Sequence, residues 1–575
     1  MKKWVKRISV SAGVLALALT VVISAAAYIS FLRPLDDHDN NSTSLLLYNG
    51  NIITVDPSNP RAEAVLVAGE TIRYAGGYRE ALAMAPKNTV MVDLKRKTLV
   101  PGFNDNHVHS LAAGTFYSEL MLWNLSCGEI AERVRKEAEG RPKGEPVYGN
   151  LWDYTTCKNP DRALLDKAAP DNPVFLMQYS GHAAWVNSYQ LREMNIDRET
   201  PDPAGGQIVR DGKGEPTGIL RDTAMGSVPD DKYLKIVLDS DKHKKTISKI
   251  LDMYRKAGIT SVQDNTWVPF TARLYQEMRA DNELTCRISC WSQGGTAFYH
   301  AFNMLTSFRE QDQRLRYDTI KYFADGAFST RTAWLKEPYN DDPKNCGKPR
   351  HTPAELDDII LGAARERKRL AIHAIGDRAV AGVLDSMEKA QAKYPWTRDL
   401  RFRIEHCQLV DPEDIPRMKR LGVVACVQPF ALCTPAKDAL LLGDARARRA
   451  YPYRSLLDAG IPVSFGSDAP AEVDFAPLLG IYYAVTRKDR QGRLGPLNAA
   501  ECYTPYEALY AYTMGSAYAE KMEDRKGSIT RGKLADMIVL SDDILSVPGE
   551  RIKDARVLMT IVGGTIVYGR PEDLK

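Results

Sequence analysis

Leu99-Val-Pro-Gly-Phe-Asn-Asp-Asn-His107-Val-His109 is an apolar run that ends in two histidines one residue apart. In a β-strand the side chains of i and i+2 point to the same face, so the run presents two imidazoles side by side at a strand end. That is half of a metal site, although two such histidines, taken alone, equally fit hydrogen-bonded surface or core residues. The remaining chain decides the matter by whether it supplies further ligands at the ends of further strands.

Downstream of this run, strand and helix patterns alternate. Strand patterns fall at 258–264, 284–291, 318–325, 370–374, 401–407, 422–427 and 461–467, with amphipathic stretches at 246–257, 353–368, 379–393 and 412–421. With 99–109 these make eight strands joined by helical crossovers, which predicts an α/β fold with a (β/α)8 TIM-type barrel over 99–524. Residues 115–245 do not fit the repeat and carry Gly/Pro-rich turns, so they are expected to form an insertion after the first barrel strand, a lid over the C-terminal face. Residues 45–98 and 525–575 read instead as short strands broken by turns, among them Asn49-Gly50 and Gly563-Gly564. Each segment is too small to bury a core alone, which predicts that both termini build one small β-sandwich domain.

At 575 residues the chain is too long for one ordinary core, and 44% hydrophobic with 26% charged residues is a globular composition. A net charge of +4, dispersed along the chain, gives no footprint for nucleic acid, and a homo-oligomer is compatible with it. Lys2, Lys3, Lys6 and Arg7 precede an uncharged apolar run at 8–32 and a polar stretch at 36–44. A cleaved signal has an apolar core of about 7 to 15 residues, whereas a spanning helix needs about 20. Residues 1–35 are therefore expected to be an uncleaved transmembrane anchor and 36–44 a linker, giving a single-pass protein of the cell membrane with its catalytic domain outside. The alternative is a secreted protein cleaved after Ser24-Ala-Ala-Ala27. Nine cysteines show no metal-finger spacing, and Cys286 and Cys290 lie four apart in poor geometry for pairing. Export permits a long-range disulfide, such as one involving Cys127 and Cys157, with buried free thiols as the alternative.

Candidate ligands sit where the later strands end: Lys321 in Ile-Lys-Tyr-Phe-Ala-Asp-Gly, His373 in Ala-Ile-His-Ala-Ile-Gly-Asp, His406 in Arg-Ile-Glu-His-Cys-Gln and Asp468 in Phe-Gly-Ser-Asp-Ala-Pro. Singly, each has an ordinary reading: a buried hydrogen-bonded histidine, a helix-capping aspartate, a snorkelling lysine. In a barrel, strand ends converge, and four histidines with an aspartate offer nitrogen and oxygen donors suited to one or two divalent ions such as zinc.

The motifs carry a resemblance. They are Pro101-Gly-Phe-Asn-Asp-Asn-His-Val-His109, Gly181-His-Ala-Ala-Trp-Val-Asn-Ser188, Lys321-Tyr-Phe-Ala-Asp-Gly326 followed by Arg331-Thr-Ala, His373-Ala-Ile-Gly-Asp377, Arg403-Ile-Glu-His-Cys-Gln408, Gly466-Ser-Asp-Ala-Pro470 and Gly532-Lys-Leu-Ala-Asp536. In this order they resemble the amidohydrolase superfamily, specifically its YtcJ-like group, amidohydrolase family 3, from about residue 45 to 570. The family's opening motif more often reads Phe-Ile-Asp-Ser-His-Val-His, so Asn104 and Asn106 depart from it while both histidines stay.

The resemblance implies a two-metal site: His107, His109 and Asp468 on the first metal, His373 and His406 on the second, and Lys321 bridging them as a carboxylated lysine. A one-metal site is the fallback if Lys321 is unmodified. It implies a bridging hydroxide attacking the scissile carbonyl of an amide-type small molecule, with Asp468 moving the proton to the leaving group. The reaction expected is hydrolysis of a C–N bond in an amide, cyclic amide or N-substituted formamide. An ester hydrolase, a lyase or isomerase on the same scaffold, and a catalytically silent binding protein are the alternatives. Substrate contacts are expected from the insertion: His182, near Trp185 and Asn187, and Trp152 in Gly149-Asn-Leu-Trp-Asp153, whose alternative is a place in the insertion's core. Asp325 and Arg331 are expected to form a structural ion pair beneath the site.

Overall fold

Eight strands follow one another around one sheet: β1 (Phe103–Val108), β2 (Ile259–Asn265), β3 (Arg287–Gln293), β4 (Leu315–Phe323), β5 (Arg369–Ala374), β6 (Arg403–His406), β7 (Val424–Val427) and β8 (Val463–Phe465). The computed structural model describes residues 44–574 apart from 155, 179–182, 204–205, 227–239, 267–270, 295–312, 434 and 473. Order in the sheet is order in sequence, and the neighbours from β2 to β8 run parallel. First and last strands meet through side chains, Asn106 Nδ2 donating to Ser464 Oγ at 2.6 Å, so the barrel is nearly closed. All seven residues of β2 and all six of β1 are buried, as expected of a parallel sheet covered on both faces. Helices such as Pro353–Arg365 and Asp377–Lys393 separate the strands, the former opened by a Thr352/Glu355 capping box that satisfies its first orphan N–H groups.

The chain divides into two compact units, one of His107–Tyr254 with Ser467–Ala476, the other of the remaining residues. The larger unit also holds the terminal strands. Thr565–Tyr568, Val557–Val562, Met537–Leu540, Thr98–Pro101, Leu45–Ile53, Arg61–Ala68 and Thr71–Gly76 lie in that order, with Val90–Asp93 also paired to Leu45–Ile53. Hydrogen bonding joins strands from both terminal segments into one continuous mixed sheet.

The run 99–109 is not one strand. Its first half pairs antiparallel with Met537–Leu540, its second half is β1, and the break falls at Gly102. A Cβ there would sit 2.2 Å from Thr260 Oγ1, so only glycine lets the chain pass β2 this closely.

The smaller unit has a six-stranded mixed sheet in the order Gly206–Arg210, Pro216–Asp222, Ala183–Val186, Val174–Gln178, Val147–Trp152, Leu120–Met121. It is larger than the insertion expected at 115–245, because it takes in His107, His109 and the segment after β8. Cys127 and Cys157 form a disulfide within it. Cys286, Cys290, Cys407 and Cys426 are buried free thiols, so both cysteine expectations are met at different positions.

The apolar run at 8–32 lies outside the described residues, and among those described no helix is long and apolar enough to cross a membrane. Ser240–Lys256 and Asp377–Lys393, the longest described helices, have 17 residues each and carry charge along their length, against about 20 apolar residues for a span. The expected single-pass membrane localisation is corrected on this finding.

The terminal sheet is tied to the barrel by a buried ion pair. Asp536, in the Gly532–Asp536 motif, accepts from Arg287 of β3 at 2.7 and 3.0 Å and from Gly563 N–H at 2.8 Å. Burial alone would raise the Asp536 pKa, but the Arg287 guanidinium and the Gly563 N–H outweigh it and hold the carboxyl below its ordinary 3.8. Asp536→Asn takes the nearer counter-charge from buried Arg287 and leaves it Glu70 at 3.6 Å, and a loss of about 3 kcal/mol is expected in urea unfolding at pH 7. Because the folded pKa is depressed, the contribution is full above the unfolded value and is lost as pH falls through the folded one. The gap between wild type and variant therefore narrows below pH 3.8, and a pH-independent gap would refute the assignment.

Candidate metal centre

His107 lies at the end of β1, and His109 two residues later occupies the N-cap position of the helix Ser110–Ser118. Asp468 stands three residues beyond β8. Backbone bonds hold the two segments together: Asp468 N–H donates to His107 O at 2.7 Å and His109 N–H to Ala469 O at 2.9 Å. Asp468 adopts φ of +58°, the left-handed region that costs a non-glycine residue about 1–2 kcal/mol. That turn aims its carboxylate at the imidazoles. Asp468 Oδ1 lies 3.5 Å from His107 Nε2 and 3.1 Å from His109 Nε2.

One ligand atom from each of the three lies within 4.8 Å of the others. Donors about 2.0–2.1 Å from a tetrahedral zinc ion stand about 3.3 Å from one another, so the measured separations of 3.1 and 3.5 Å suit such an ion. Both histidines are buried and Asp468 is partly exposed.

Within the larger unit a second pair of histidines converges. The His373 and His406 rings, at the ends of β5 and β6, are 4.4 Å apart between centroids. His373 Nε2 lies 2.9 Å from the Gly326 carbonyl, and His406 Nδ1 lies 2.8 Å from Gln428 Oε1. Lys321 on β4 is 1% exposed. Its Nζ stands 4.8 Å from the centre of the Phe323 ring, which is 5.2 Å from the His373 ring. His406 takes φ of +79° and Cys407 +44°, so the left-handed conformation recurs where a candidate ligand leaves its strand.

Asp325 has a different role from the one expected. It is fully buried and accepts the backbone N–H groups of Trp334, Ile375 and Gly376 at 2.9, 3.0 and 2.8 Å. The carboxylate thus stitches the loop after β5, which follows His373, to the loop after β4. Burial pushes its pKa up to about 7 against the lowering effect of those three donors. Arg331 pairs with Asp341 instead, so the expected Asp325–Arg331 ion pair is corrected.

Trp152 lies in the hydrophobic core of the smaller unit, fully buried, its indole N–H donating to Leu176 O at 2.8 Å and its ring 6.0 Å from that of Trp185. With that place in the core, the substrate contact expected of it is not carried forward. His182 lies outside the described residues. Gln428 was missed, although the available signal was a polar side chain in Val427-Gln428-Pro429, directly after a predicted barrel strand.

Comparison with known proteins adds to this geometry. A family profile described as "Amidohydrolase family" matches residues 90–568. YtcJ of Bacillus subtilis (strain 168) is 32% identical over 542 residues, covering 91% of this chain and 98% of that protein. The N-substituted formamide deformylase of Arthrobacter pascens is 29% identical, covering 92% and 98%. Among solved structures, an uncharacterized metal-dependent hydrolase from Pyrococcus furiosus superposes with a TM-score of 0.70 at 28% identity, covering 88% of this chain and all of that one.

Three N–H donors on one carboxylate give Asp325→Asn a defined outcome. The amide keeps one acceptor oxygen and turns an N–H2 toward the remaining donors, so unfolding by urea should show a loss of about 1–3 kcal/mol. An unchanged midpoint would mean that Asp325 does not hold the two loops together.

Proposed function

The chain belongs to the amidohydrolase family, and on that premise we propose that it is a metal-dependent hydrolase that cleaves a C–N bond in a small amide, cyclic amide or N-substituted formamide. The observation that carries the reading is the convergence of His107, His109 and Asp468 on one point at zinc-like separations. The formamide deformylase among the relatives supports the substrate class.

In this reading His107, His109 and Asp468 would hold one divalent ion, zinc as the donor set suggests, and His373 and His406 would serve a second. Lys321, if carboxylated, would offer a cation two oxygens and a negative charge in place of the single lone pair of a neutral amine. Bound metal supplies water activation near neutral pH and polarisation of the scissile carbonyl. Asp468 takes the proton of the attacking water and delivers it to the departing nitrogen, a task that suits a partly exposed carboxylate beside the reaction centre. The buried imidazoles exclude bulk water from one side of the reacting carbonyl.

Elemental analysis of the purified full chain should find at least one divalent ion per molecule, falling in His107→Ala and His109→Ala. A folded, active sample without metal would defeat the proposal. Activity screens with N-substituted formamides, amides, cyclic amides and esters should favour the C–N substrates. Asp468→Asn should lower kcat about 100-fold or more, and unchanged turnover would remove Asp468 from proton transfer. Carboxylation of Lys321 predicts a carbamate signal in ¹³C NMR after exchange with labelled bicarbonate, absent from Lys321→Ala.

A further inference from the structure

We infer that Gln428 is a positioning residue that holds His406 as the Nδ1–H tautomer, so that Nε2 is the nitrogen presented to a metal; this rests on His406 being a ligand, as proposed above. β6 and β7 are parallel neighbours, Glu405 opposite Cys426. His406 is the last residue of β6, and Gln428 comes directly after β7. Gln428 Oε1 lies 2.8 Å from His406 Nδ1. A carboxamide oxygen only accepts, so the imidazole must donate from Nδ1, which leaves the lone pair on Nε2.

Gln428 is 1% exposed, and its backbone is fixed: the main-chain carbonyl oxygen accepts from the Tyr453 hydroxyl at 3.1 Å and from Ala431 N–H at 3.2 Å. Tyr453 is itself buried, and its own carbonyl accepts from the Tyr503 hydroxyl at 2.8 Å. Gln428 Nε2 is buried without a hydrogen-bond partner among the described residues, so the bond to His406 is the one polar contact that orients the amide. Gln428 thereby extends the metal centre by a residue that touches only a ligand. Such partners commonly change metal affinity 10- to 100-fold when removed.

The test uses the full chain with ¹⁵N-labelled histidine, nine residues in all, and His406→Ala to assign the His406 ring signals. In metal-free protein, His406 should show a protonated Nδ1 and an unprotonated Nε2. Gln428→Leu should lose this bias and bind Zn²⁺ about 10- to 100-fold more weakly by chelator competition. Gln428→Glu offers acceptor oxygens only, and it should keep the tautomer and an affinity no lower than wild type. An Nε2–H tautomer in wild type, or Gln428→Leu with unchanged ring signals and unchanged Zn²⁺ affinity, would overturn the inference. Full Zn²⁺ binding by His406→Ala, with the tautomer as expected, would instead overturn the reading of His406 as a ligand, so the two failures are told apart.

Discussion

A single buried guanidinium organises the barrel interior. Arg403 on β6 has no exposed surface and donates to Glu405, to Gln263 on β2 and to the Asn106 carbonyl on β1, while stacking 4.5 Å from the centre of the Trp291 ring on β3. A charge so placed costs several kcal/mol in lost hydration unless its donors are all met by well-placed acceptors. Meeting them fixes four strands to one another, and the Asn106 side chain carries the link to Ser464 on β8. Asn106 immediately precedes His107 in the chain, so the polar interior fixes the backbone from which the first candidate ligand follows. Beneath it, Asn104 donates to Glu520, which pairs with Lys526 at 2.7 Å. The barrel core is therefore held by hydrogen-bonded charge as well as by aliphatic packing, and it leaves little freedom of register.

Where candidate ligands leave the strands, the backbone is strained. His406, Cys407 and Asp468 all have positive φ. An L-residue adopts that conformation only when its surroundings over-determine it. For Asp468 those surroundings are the bonds from its N–H to His107 O and from Ala471 N–H to its own carbonyl. For His406 they include the Gln428 amide. At His406, the last residue of β6, and at Asp468, three residues beyond β8, the left-handed turn departs from the regular alternation of a strand.

Much of this was legible in the sequence because barrel strands are buried on both faces and end in polar residues. The seven later strands lie within a few residues of where apolar runs bounded by turns place them, and the His-x-His pair and Asp468 meet as the metal reading requires. The break at Gly102 was not legible, since strand periodicity is the same on either side and only the approach to Thr260 forces a glycine. Asn104 and Asn106, read as departures from a motif, are members of the interior network, which no local pattern reveals because the side chains they donate to lie more than 350 residues away. Arg331 was given the wrong partner for a similar reason: its sequence neighbourhood offers several carboxylates, and Asp325 is already engaged by three backbone donors. Trp152, in the same way, shows its place only through the core that surrounds it.

His373 and His406 show how neutral groups orient two candidate ligands. His373 faces a backbone carbonyl through Nε2 and His406 faces an amide oxygen through Nδ1. Each acceptor fixes a different ring nitrogen as the protonated one, so each imidazole keeps one lone pair, Nδ1 on His373 and Nε2 on His406. Rings with centroids 4.4 Å apart would repel if both carried a positive charge. The nearby carboxylate does not displace this arrangement. Asp325 Oδ1 is 3.5 Å from His373 Nε2, beyond good hydrogen-bond distance, and its oxygens are already committed to backbone N–H groups. The negative charge is thereby held to shaping the loops, and the imidazoles are oriented by groups that carry none.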